Sequence, residues 1–226
     1  MKIIGHRGAA GLGPENTVKA IRAGIKAGAD AVEFDIRLSK DNTFVLSHDA
    51  GLERTAGLDR KIHELTLESI RLIIPLDGEP IPTLEEALNA RGDSTAVIEG
   101  KGGGWGKPLA EYMKLSSIKN ACVISFNLNE LSAFHIALPN IPCYALERQN
   151  AFKTILTAHR LGFTGVNLRF WILNPFSYWF AKLYRLDLII YTVNRPFLMR
   201  WFSMMYPRVA VTTNRPDILS KIKKAN

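Results

Sequence analysis

The sequence predicts an α/β fold, a (β/α)8 TIM barrel in which eight parallel strands are each followed by a helix. The first indication is a repeated pattern: eight short runs rich in β-branched residues alternate with longer amphipathic stretches along the whole chain. The second is the length, because 226 residues suit one such barrel and are short for two domains. We therefore expect a single domain over residues 1–226.

The strands are predicted from short apolar runs, and the helices from apolar residues that recur at intervals of three and four, the spacing of a helix with one buried face. The predicted strands lie at 2–5, 31–36, 96–100, 121–125, 142–146, 164–168, 187–193 and 208–213. The predicted helices lie at about 14–28, 83–91, 105–115, 128–137, 149–160, 174–185, 195–205 and 215–224.

Two of these helices carry local signals at their ends. In the first helix, Pro14 suits the first helical position, where its missing N–H would have no partner. Glu15 would then face the positive helix end, and Gly28 suits a left-handed stop. In the second helix, Thr83 and Glu86 have the spacing of a capping box. These signals predict where the two helices begin and where the first one ends.

Residues 37–82 are too long for a single connection between a strand and a helix. They contain a second extended piece at 43–49 and a short helical candidate at 64–73. This insertion leaves the second strand at the end of the barrel where active sites form. Because long loops in compact domains are usually functional, we expect functional residues in it.

The composition is that of an ordinary globular protein, with 47% hydrophobic and 22% charged residues, which excludes a disordered or collagen-like chain. No apolar run reaches the roughly 18 residues of a membrane span. The N-terminus also lacks the apolar core of a signal peptide, so the expected location is cytoplasmic. Cys122 and Cys143 lie in short apolar runs, which favours buried free thiols over a disulfide.

Three acidic residues are candidates for a metal site. Glu33 and Asp35 are two apart on the second predicted strand, so their side chains point to the same side, which in a barrel strand is the interior. Glu99 adds a third carboxylate from the next barrel strand. Three oxygen ligands without cysteine suit a hard divalent ion, Mg²⁺ or Ca²⁺. The alternative is that each acid is paired with an arginine or lysine.

Two histidines stand out by their positions. His6 follows the first strand, and His48 ends the extended piece of the insertion. Beside a metal-bound phosphate, two such imidazoles can act as general base and general acid. The alternative is that they are metal ligands or structural hydrogen-bonding residues. We interpret His63, His135 and His159 as structural, because each lies within a helical or loop pattern.

Several motifs together resemble the glycerophosphodiester phosphodiesterase family, in the family's order and over nearly the whole chain. They are HRGAAGLGPENT (6–17), EFDIRLSKDNTFVLSHD (33–49), ERT (53–55), IPTLEEAL (81–88), EGK (99–101), YTVN (191–194) and TTNRPD (212–217). The first two are highly specific, and the later ones would be weak alone.

The resemblance implies roles for residues of this chain. Glu33, Asp35 and Glu99 match the family's metal-binding carboxylates, and His6 and His48 match its acid and base. Two further residues, Arg7 and Lys101, match positions that neutralise the phosphate, and Asn194 in YTVN is a third candidate substrate-binding residue.

The implied reaction is metal-dependent hydrolysis of a glycerophosphodiester to glycerol 3-phosphate and an alcohol, through attack by the glycerol 2-hydroxyl. The implied substrate is a small diester or a lysophospholipid. A lysophospholipase D-like activity on membrane lysophospholipids is therefore one alternative. A catalytically silent barrel that binds phospholipid headgroups is another.

The charge is unevenly distributed. The net charge is +8, but residues 1–100 carry −4 and residues 101–226 carry +12. Residues 170–206 hold 12 of the 21 aromatic residues together with several arginines, a mixture typical of interfacial membrane helices. The segment therefore favours two interpretations, a solvated barrel exterior or a peripheral membrane contact that would make the protein membrane-associated. No nucleic-acid module is recognisable, so no nucleic-acid partner is expected.

Overall fold

The computed structural model describes residues 1–118 and 120–225 and contains the predicted closed barrel. Its eight parallel strands are β1 (Ile3–Gly5), β2 (Ala31–Leu38), β6 (Thr95–Gly100), β7 (Ala121–Ser125), β8 (Cys143–Glu147), β9 (Gly165–Arg169), β10 (Asp187–Tyr191) and β11 (Ala210–Thr213). Each strand pairs with the next one in this order, including β1 with β2. The last strand, β11, pairs with β1, which closes the sheet.

Seven long helices and several short elements surround the barrel. The helices after the barrel strands are α1 (Val18–Lys26), α4 (Leu84–Ala90), α5 (Gly106–Leu115), α6 (Leu128–Ala137), α7 (Ala151–Arg160), α8 (Pro175–Leu183), α9 (Pro196–Met205) and α10 (Pro216–Ala225), of which α4 alone has fewer than eight residues. Short 3₁₀ turns lie at Ile62–Glu64 and Phe170–Ile172. The predicted alternation of strand and helix is confirmed.

The insertion after β2 builds a small substructure on the rim of the barrel. Its elements are β3 (Phe44–Leu46), β4 (Gly51–Leu52), α2 (Glu53–Ala56), β5 (Leu58–Lys61) and α3 (Leu67–Arg71). Strand β3 pairs antiparallel with the end of β2, and β4 pairs with β5 in a separate two-stranded sheet. A small apolar cluster of their own, which includes Val45, Leu52 and Ile70, packs beneath these elements. The insertion is thus held against the end of β2.

The prediction for the start of the first helix was wrong. Helix α1 begins at Val18, and the Thr17 hydroxyl caps it by accepting a hydrogen bond from the Ala20 amide. Pro14 and Glu15 lie in the turns before the helix. The physical reason is that the segment after β1 folds back over the barrel mouth, where Glu15 pairs with arginines instead of the helix end.

Other local predictions are confirmed. Gly28 has a φ of 92° and follows α1, as a left-handed stop requires. Thr83 and Glu86 form the capping box of α4. Cys122 and Cys143 are buried free cysteines. One boundary differs from its prediction: the seventh barrel strand, β10, ends at Tyr191, two residues earlier than predicted.

Most of the core lies between the strands and the helices, while the barrel interior holds a smaller apolar set. The main cluster includes the fully buried Phe34, Trp105 and Phe134. The interior cluster contains Ile4, Ala31, Val97, Cys122, Ile124, Leu146 and Ile189. Among the described residues, no helix has both the length and the apolar character needed to cross a bilayer.

Candidate active site

Three buried carboxylates meet where β2 and β6 run side by side. Glu33 and Asp35 are two residues apart on β2, so both point to the same side, the barrel interior. The register of the two strands places Asp35 beside Glu99. One oxygen from each carboxylate lies within 4.8 Å of one from the others. Their exposed fractions are only 3%, 1% and 8%. The strand periodicity read from the sequence therefore brings the three predicted acids together.

This cluster cannot carry three full negative charges without a compensating cation. Burial raises the pKa of Glu33 well above its usual range, and the charges of Asp35 and Glu99 raise it further. Burial and Asp35 likewise raise the pKa of Glu99 to about 7. The Glu33 Oε1 atom is buried without a hydrogen-bond partner among the described residues. Such a set of carboxylates fits a divalent cation.

Two cations already border the cluster. The Lys101 ammonium lies 3.1 Å from Asp35 Oδ1 and also contacts Glu99, and the Arg7 Nε lies 3.5 Å from Asp35 Oδ2. Burial alone would raise the pKa of Asp35, but Lys101 and Arg7 outweigh it and hold that pKa below its usual value. Asn16 adds two hydrogen bonds to the same residue. Its side-chain Nδ2 donates to Asp35 Oδ2, and its side-chain Oδ1 accepts from the Asp35 backbone amide. Asp35 is therefore the most firmly ionised of the three acids.

His6 sits in the sharp turn that leaves β1. In this turn the Arg7 amide donates to Glu33 Oε2 at 2.8 Å, and Gly8 takes a φ of 85°. The His6 Nδ1 atom lies 2.7 Å from the Asn214 side-chain oxygen. Nδ1 therefore carries the hydrogen, and Nε2 has a free lone pair. Burial, and next the charge of Arg7, lower the pKa of His6 to about 4. His6 is a neutral imidazole at neutral pH and can accept a proton.

His48 is oriented by the insertion. Its Nδ1 lies 2.7 Å from Asp49 Oδ1, and its backbone carbonyl accepts two hydrogen bonds from the Arg37 guanidinium at 2.8 and 3.2 Å. Asp49 in turn accepts a hydrogen bond from Arg54 Nε at 2.6 Å. A carboxylate that accepts a hydrogen bond from Nδ1 orients the ring and leaves Nε2 for proton transfer.

An ion-pair chain links the turns that carry the two histidines. Arg54, which binds Asp49 on the His48 side, also pairs with Glu15. Glu15 pairs with Arg7 at 2.8 Å, next to His6. The charges along this chain alternate, so every member has a partner of opposite sign. These ion pairs connect the turn that carries His6 to the insertion that carries His48.

Both histidines face one cavity of about 450 Å³ at the C-terminal end of the strands. Its lining residues are His6, Arg7, His48, Glu99, Lys101, Phe126, Arg148, Arg169, Phe170, Tyr191, Thr192 and Asn194. The predicted residues Glu33 and Asp35 are buried behind this lining. The predicted site residues thus belong to one region, although they come from four separate segments of the chain.

Asn194 has a structural contact in addition to its place in the cavity wall. Its side-chain oxygen accepts hydrogen bonds from the Asn214 amide at 2.8 Å and from the Thr213 hydroxyl at 3.2 Å. Asn214 is the residue that holds His6. The predicted role of Asn194 in binding substrate stays a prediction, and the geometry gives it a second task in positioning the His6 partner.

Sequence reasoning missed five residues of this region: Asn16, Asp49, Asn214, Arg148 and Arg169. Three of them, Asn16, Asp49 and Asn214, hold a predicted site residue, and each lies within one of the motifs quoted above, which is the signal that could have found them. The two arginines could have been found, because Arg148 directly follows β8 and Arg169 ends β9, at the end of the barrel where active sites form.

The comparisons with known proteins agree with this geometry. A sequence profile of the glycerophosphoryl diester phosphodiesterase family matches residues 6–218. The chain belongs to this family. As a family member, it is an enzyme of the phosphodiesterase class. A putative glycerophosphodiester phosphodiesterase of Bacillus subtilis is 30% identical in an alignment that covers 98% of this chain and 97% of the relative.

Solved structures of phosphodiesterases share the barrel. A glycerophosphodiester phosphodiesterase from Thermotoga maritima superposes with a TM-score of 0.85 at 25% identity, with 97% of each chain covered. A phosphodiesterase from Oleispira antarctica, solved with the product sn-glycerol 3-phosphate, gives a TM-score of 0.84 at 22% identity, and the match covers 99% of this chain and 97% of that one. These similarities confirm the (β/α)8 barrel.

Proposed function

We propose that this phosphodiesterase hydrolyses glycerophosphodiesters to glycerol 3-phosphate and an alcohol, with a divalent metal ion as cofactor. The observation that carries the proposal is a pair of histidines that face one cavity and have different hydrogen-bond partners. His6 is neutral, and His48 is paired with a carboxylate. Beside them lie the three buried acids and two cations. The product named for the Oleispira antarctica enzyme supports the same substrate class.

Glu33, Asp35 and Glu99 would hold the metal ion. Three carboxylate oxygens suit Mg²⁺ or Ca²⁺, and the unpartnered Oε1 of Glu33 offers a free ligand atom. When bound, the ion supplies a Lewis acid for a phosphoryl oxygen and balances the carboxylate charge. Arg7 and Lys101 then provide two further positive charges beside the phosphate, which gains negative charge in the transition state.

The two histidines divide the proton transfers. His6 Nε2 takes the proton of the glycerol 2-hydroxyl as this oxygen attacks phosphorus, and His48 gives a proton to the leaving alcohol as its bond to phosphorus breaks. The product of this step is a five-membered cyclic phosphate. In the second step His48 takes a proton from water, which attacks phosphorus, and His6 returns its proton to the 2-hydroxyl oxygen. The enzyme ends in its starting protonation state.

The test is hydrolysis of glycerophosphoglycerol followed by ³¹P NMR, with Mg²⁺, with Ca²⁺ and with EDTA. We expect glycerol 3-phosphate only when metal is present. His6→Asn and His48→Asn should each lower kcat by about 10²- to 10⁴-fold while metal binding, measured by calorimetry, is kept. His159→Asn, on the exposed end of α7, is the matched control and should retain full activity.

Two results would contradict the proposal. Near-wild-type rates in either histidine variant would remove the acid and base assignment. If no diester is hydrolysed with any metal although the protein binds phospholipid headgroups, the barrel is a binding module, the alternative without catalysis.

A second candidate substrate is a lysophospholipid in a membrane, and the exposed aromatic rim of α8 and α9 favours it. Phe176 and Phe197 are the second residues of these helices, and 80% and 65% of their surfaces are exposed. In a barrel, helices begin near the C-terminal ends of the strands, so both lie on the side of the active site. Trp171, also exposed, follows the cavity residue Arg169 and packs against it.

The charge of the C-terminal third of the chain favours an anionic surface as the contact of this rim. Between residues 151 and 225 the chain carries only two acids, Asp187 and Asp217, against 12 lysines and arginines. Aromatic side chains at the water interface and cations near anionic headgroups each stabilise peripheral binding. We therefore propose that the α8–α9 rim docks on an anionic phospholipid bilayer.

Sedimentation with phosphatidylglycerol and phosphatidylcholine vesicles tests the docking. The wild type should bind the anionic vesicles, and Phe176→Ser with Phe197→Ser should weaken that binding at least about tenfold. Ile136→Ser removes an equally exposed apolar side chain from α6 and should bind normally. Equal binding by the rim variant, or no binding by the wild type, would show that the rim is an ordinary solvated exterior.

A further inference from the structure

Two arginines line the active-site cavity on the wall away from the carboxylate cluster. Arg148 directly follows β8, and Arg169 is the last residue of β9. The catalytic wall is built by β1, β2 and β6 and by the insertion, whereas these arginines come from the fifth and sixth barrel strands. The proposed reaction at phosphorus does not use either of them.

Aromatic rings hold both guanidinium groups in place. The Arg148 guanidinium lies 4.4 Å from the centre of the Phe126 ring, and that of Arg169 lies 3.6 Å from the centre of the Trp171 ring. Contact with a ring uses the face of the guanidinium and leaves the N–H groups at its edge available for a bidentate anion. Arg148 also hydrogen-bonds the Tyr191 side chain, so its remaining N–H groups and those of Arg169 are available for an anion.

No acid neutralises these arginines in the described part of the chain. Its ion pairs do not include Arg148 or Arg169. The acid next in sequence, Glu147, turns away: its Oε1 accepts the amides of Arg148 and Gln149 at 2.6 and 2.8 Å, and its Oε2 accepts the Thr154 hydroxyl at 2.9 Å. This carboxylate is committed to the start of α7.

Tyr191 locates the two arginines relative to each other. Its hydroxyl donates to the Glu147 carbonyl at 3.0 Å. Tyr191 is also the register partner of Arg169 between β10 and β9, and Glu147 directly precedes Arg148. The two arginines therefore flank one tyrosine, and all three side chains line the cavity.

The charge balance differs between the two halves of the cavity. On the catalytic half, Arg7 and Lys101 are matched by the acids that they contact. On the other half, Arg148 and Arg169 have no ion-pair partner among residues 1–118 and 120–225. A cationic alcohol in this space would be repelled, and an anionic one attracted.

We propose that Arg148 and Arg169 form a second-anion subsite that selects glycerophosphodiesters whose alcohol carries a carboxylate or a phosphate. The inference rests on the proposed hydrolytic function, because it assigns the leaving alcohol to this half of the cavity. The space of about 450 Å³ is large enough for a glycerophosphoryl group and a compact alcohol.

Three diesters of matched length test the subsite: glycerol 3-phosphate esterified to 3-hydroxypropanoate, to 1,3-propanediol and to 3-aminopropanol. Their terminal groups are anionic, neutral and cationic. We expect the wild type to favour the anionic over the cationic diester at least about tenfold in kcat/KM, through KM. The double variant Arg148→Gln with Arg169→Gln should bring this ratio close to one and leave the neutral diester within about twofold.

Matched variants separate a specific site from general charge. Arg148→Lys with Arg169→Lys keeps both charges and should keep the order of preference. Arg160→Gln removes one positive charge from the exposed end of α7, outside the cavity, and should change no ratio. Arg148→Glu should favour the cationic diester over the anionic one.

Two readouts distinguish failure of the subsite from failure of the proposed function. Calorimetric binding of the same three diesters to His48→Asn does not depend on turnover. If no diester is hydrolysed by the wild type, the proposed function is wrong, and the binding preference alone still decides the subsite. A wild-type ratio near one in both assays, or a double variant that keeps the wild-type preference, would overturn the subsite.

Discussion

Replacing His6 by asparagine should flatten the dependence of protein stability on pH. In the folded protein, burial and next the charge of Arg7 lower the pKa of His6 from 6.5 to about 4, although the hydrogen bond to Asn214 opposes the change. In the unfolded chain the imidazole returns to its ordinary pKa. Between these two values the unfolded chain binds a proton at this position and the folded protein does not.

The sign and size of the effect follow from this difference. A lowered pKa gives stability that is present above pH 6.5 and is lost as the pH falls toward about 4, because protonation then favours the unfolded chain. The full difference corresponds to about 3 kcal/mol of unfolding free energy. Between about pH 7 and about pH 4.5, the wild type should lose about 2 kcal/mol more than the His6→Asn variant.

Urea unfolding of the metal-free proteins in EDTA measures this difference. Subtracting the variant curve from the wild-type curve removes the contribution of the other titrating groups. His159→Asn, in which an exposed histidine is lost, is the control for the substitution itself. If the wild type and His6→Asn lose stability in parallel, then His6 is not held neutral by burial, and its assignment as the base loses its physical support.

Three further predictions concern the residues around the site. Asp49→Asn should lower kcat about 100-fold with little change in KM, because the histidine that it orients loses its charged partner, whereas Asp59→Asn on the exposed strand β5 should have no effect in the same steady-state assay. Trp105→Ala should lower the unfolding free energy by about 3–5 kcal/mol in urea, because this side chain is fully buried, while Trp179→Ala, with 68% of its surface exposed, should change it by less than about 1 kcal/mol. Gly8→Ala should lower the unfolding free energy by more than about 2 kcal/mol in the same urea measurement. The reason is that φ is 85° and a Cβ atom would lie 2.6 Å from a backbone nitrogen of α1. An unchanged urea midpoint would show that the turn after β1 can relax.

Short-range patterns were sufficient to predict most of the fold. Alternation of apolar runs predicted all eight barrel strands, since a buried strand imposes that pattern on its own residues. The period of two along β2 predicted that Glu33 and Asp35 share one side, and the order of the strands predicted that Glu99 lies beside them. The capping box of α4 was likewise predicted from residues only three apart.

The errors arose where distant contacts outweighed local preference. Pro14 and Glu15 have the local signature of a helix start, but Glu15 is drawn into ion pairs with Arg7 and Arg54, so the helix begins later, at Val18. Nothing within a few residues of Glu15 signals these partners, because Arg54 lies 39 positions away.

The sequence by itself determined the barrel, the acids and the two histidines, because periodicity and strand-end position are local properties of a chain. Only the tertiary structure decided how the histidines differ. Burial of His6 against Asn214, which is 208 positions away, makes it neutral, and Asp49 with Arg54 orients His48. The tertiary structure also decided the charge of the cavity wall that carries Arg148 and Arg169. Barrel closure brings Arg148 and Arg169 to one cavity, where no described residue forms an ion pair with them, and such a balance depends on which side chains meet in space.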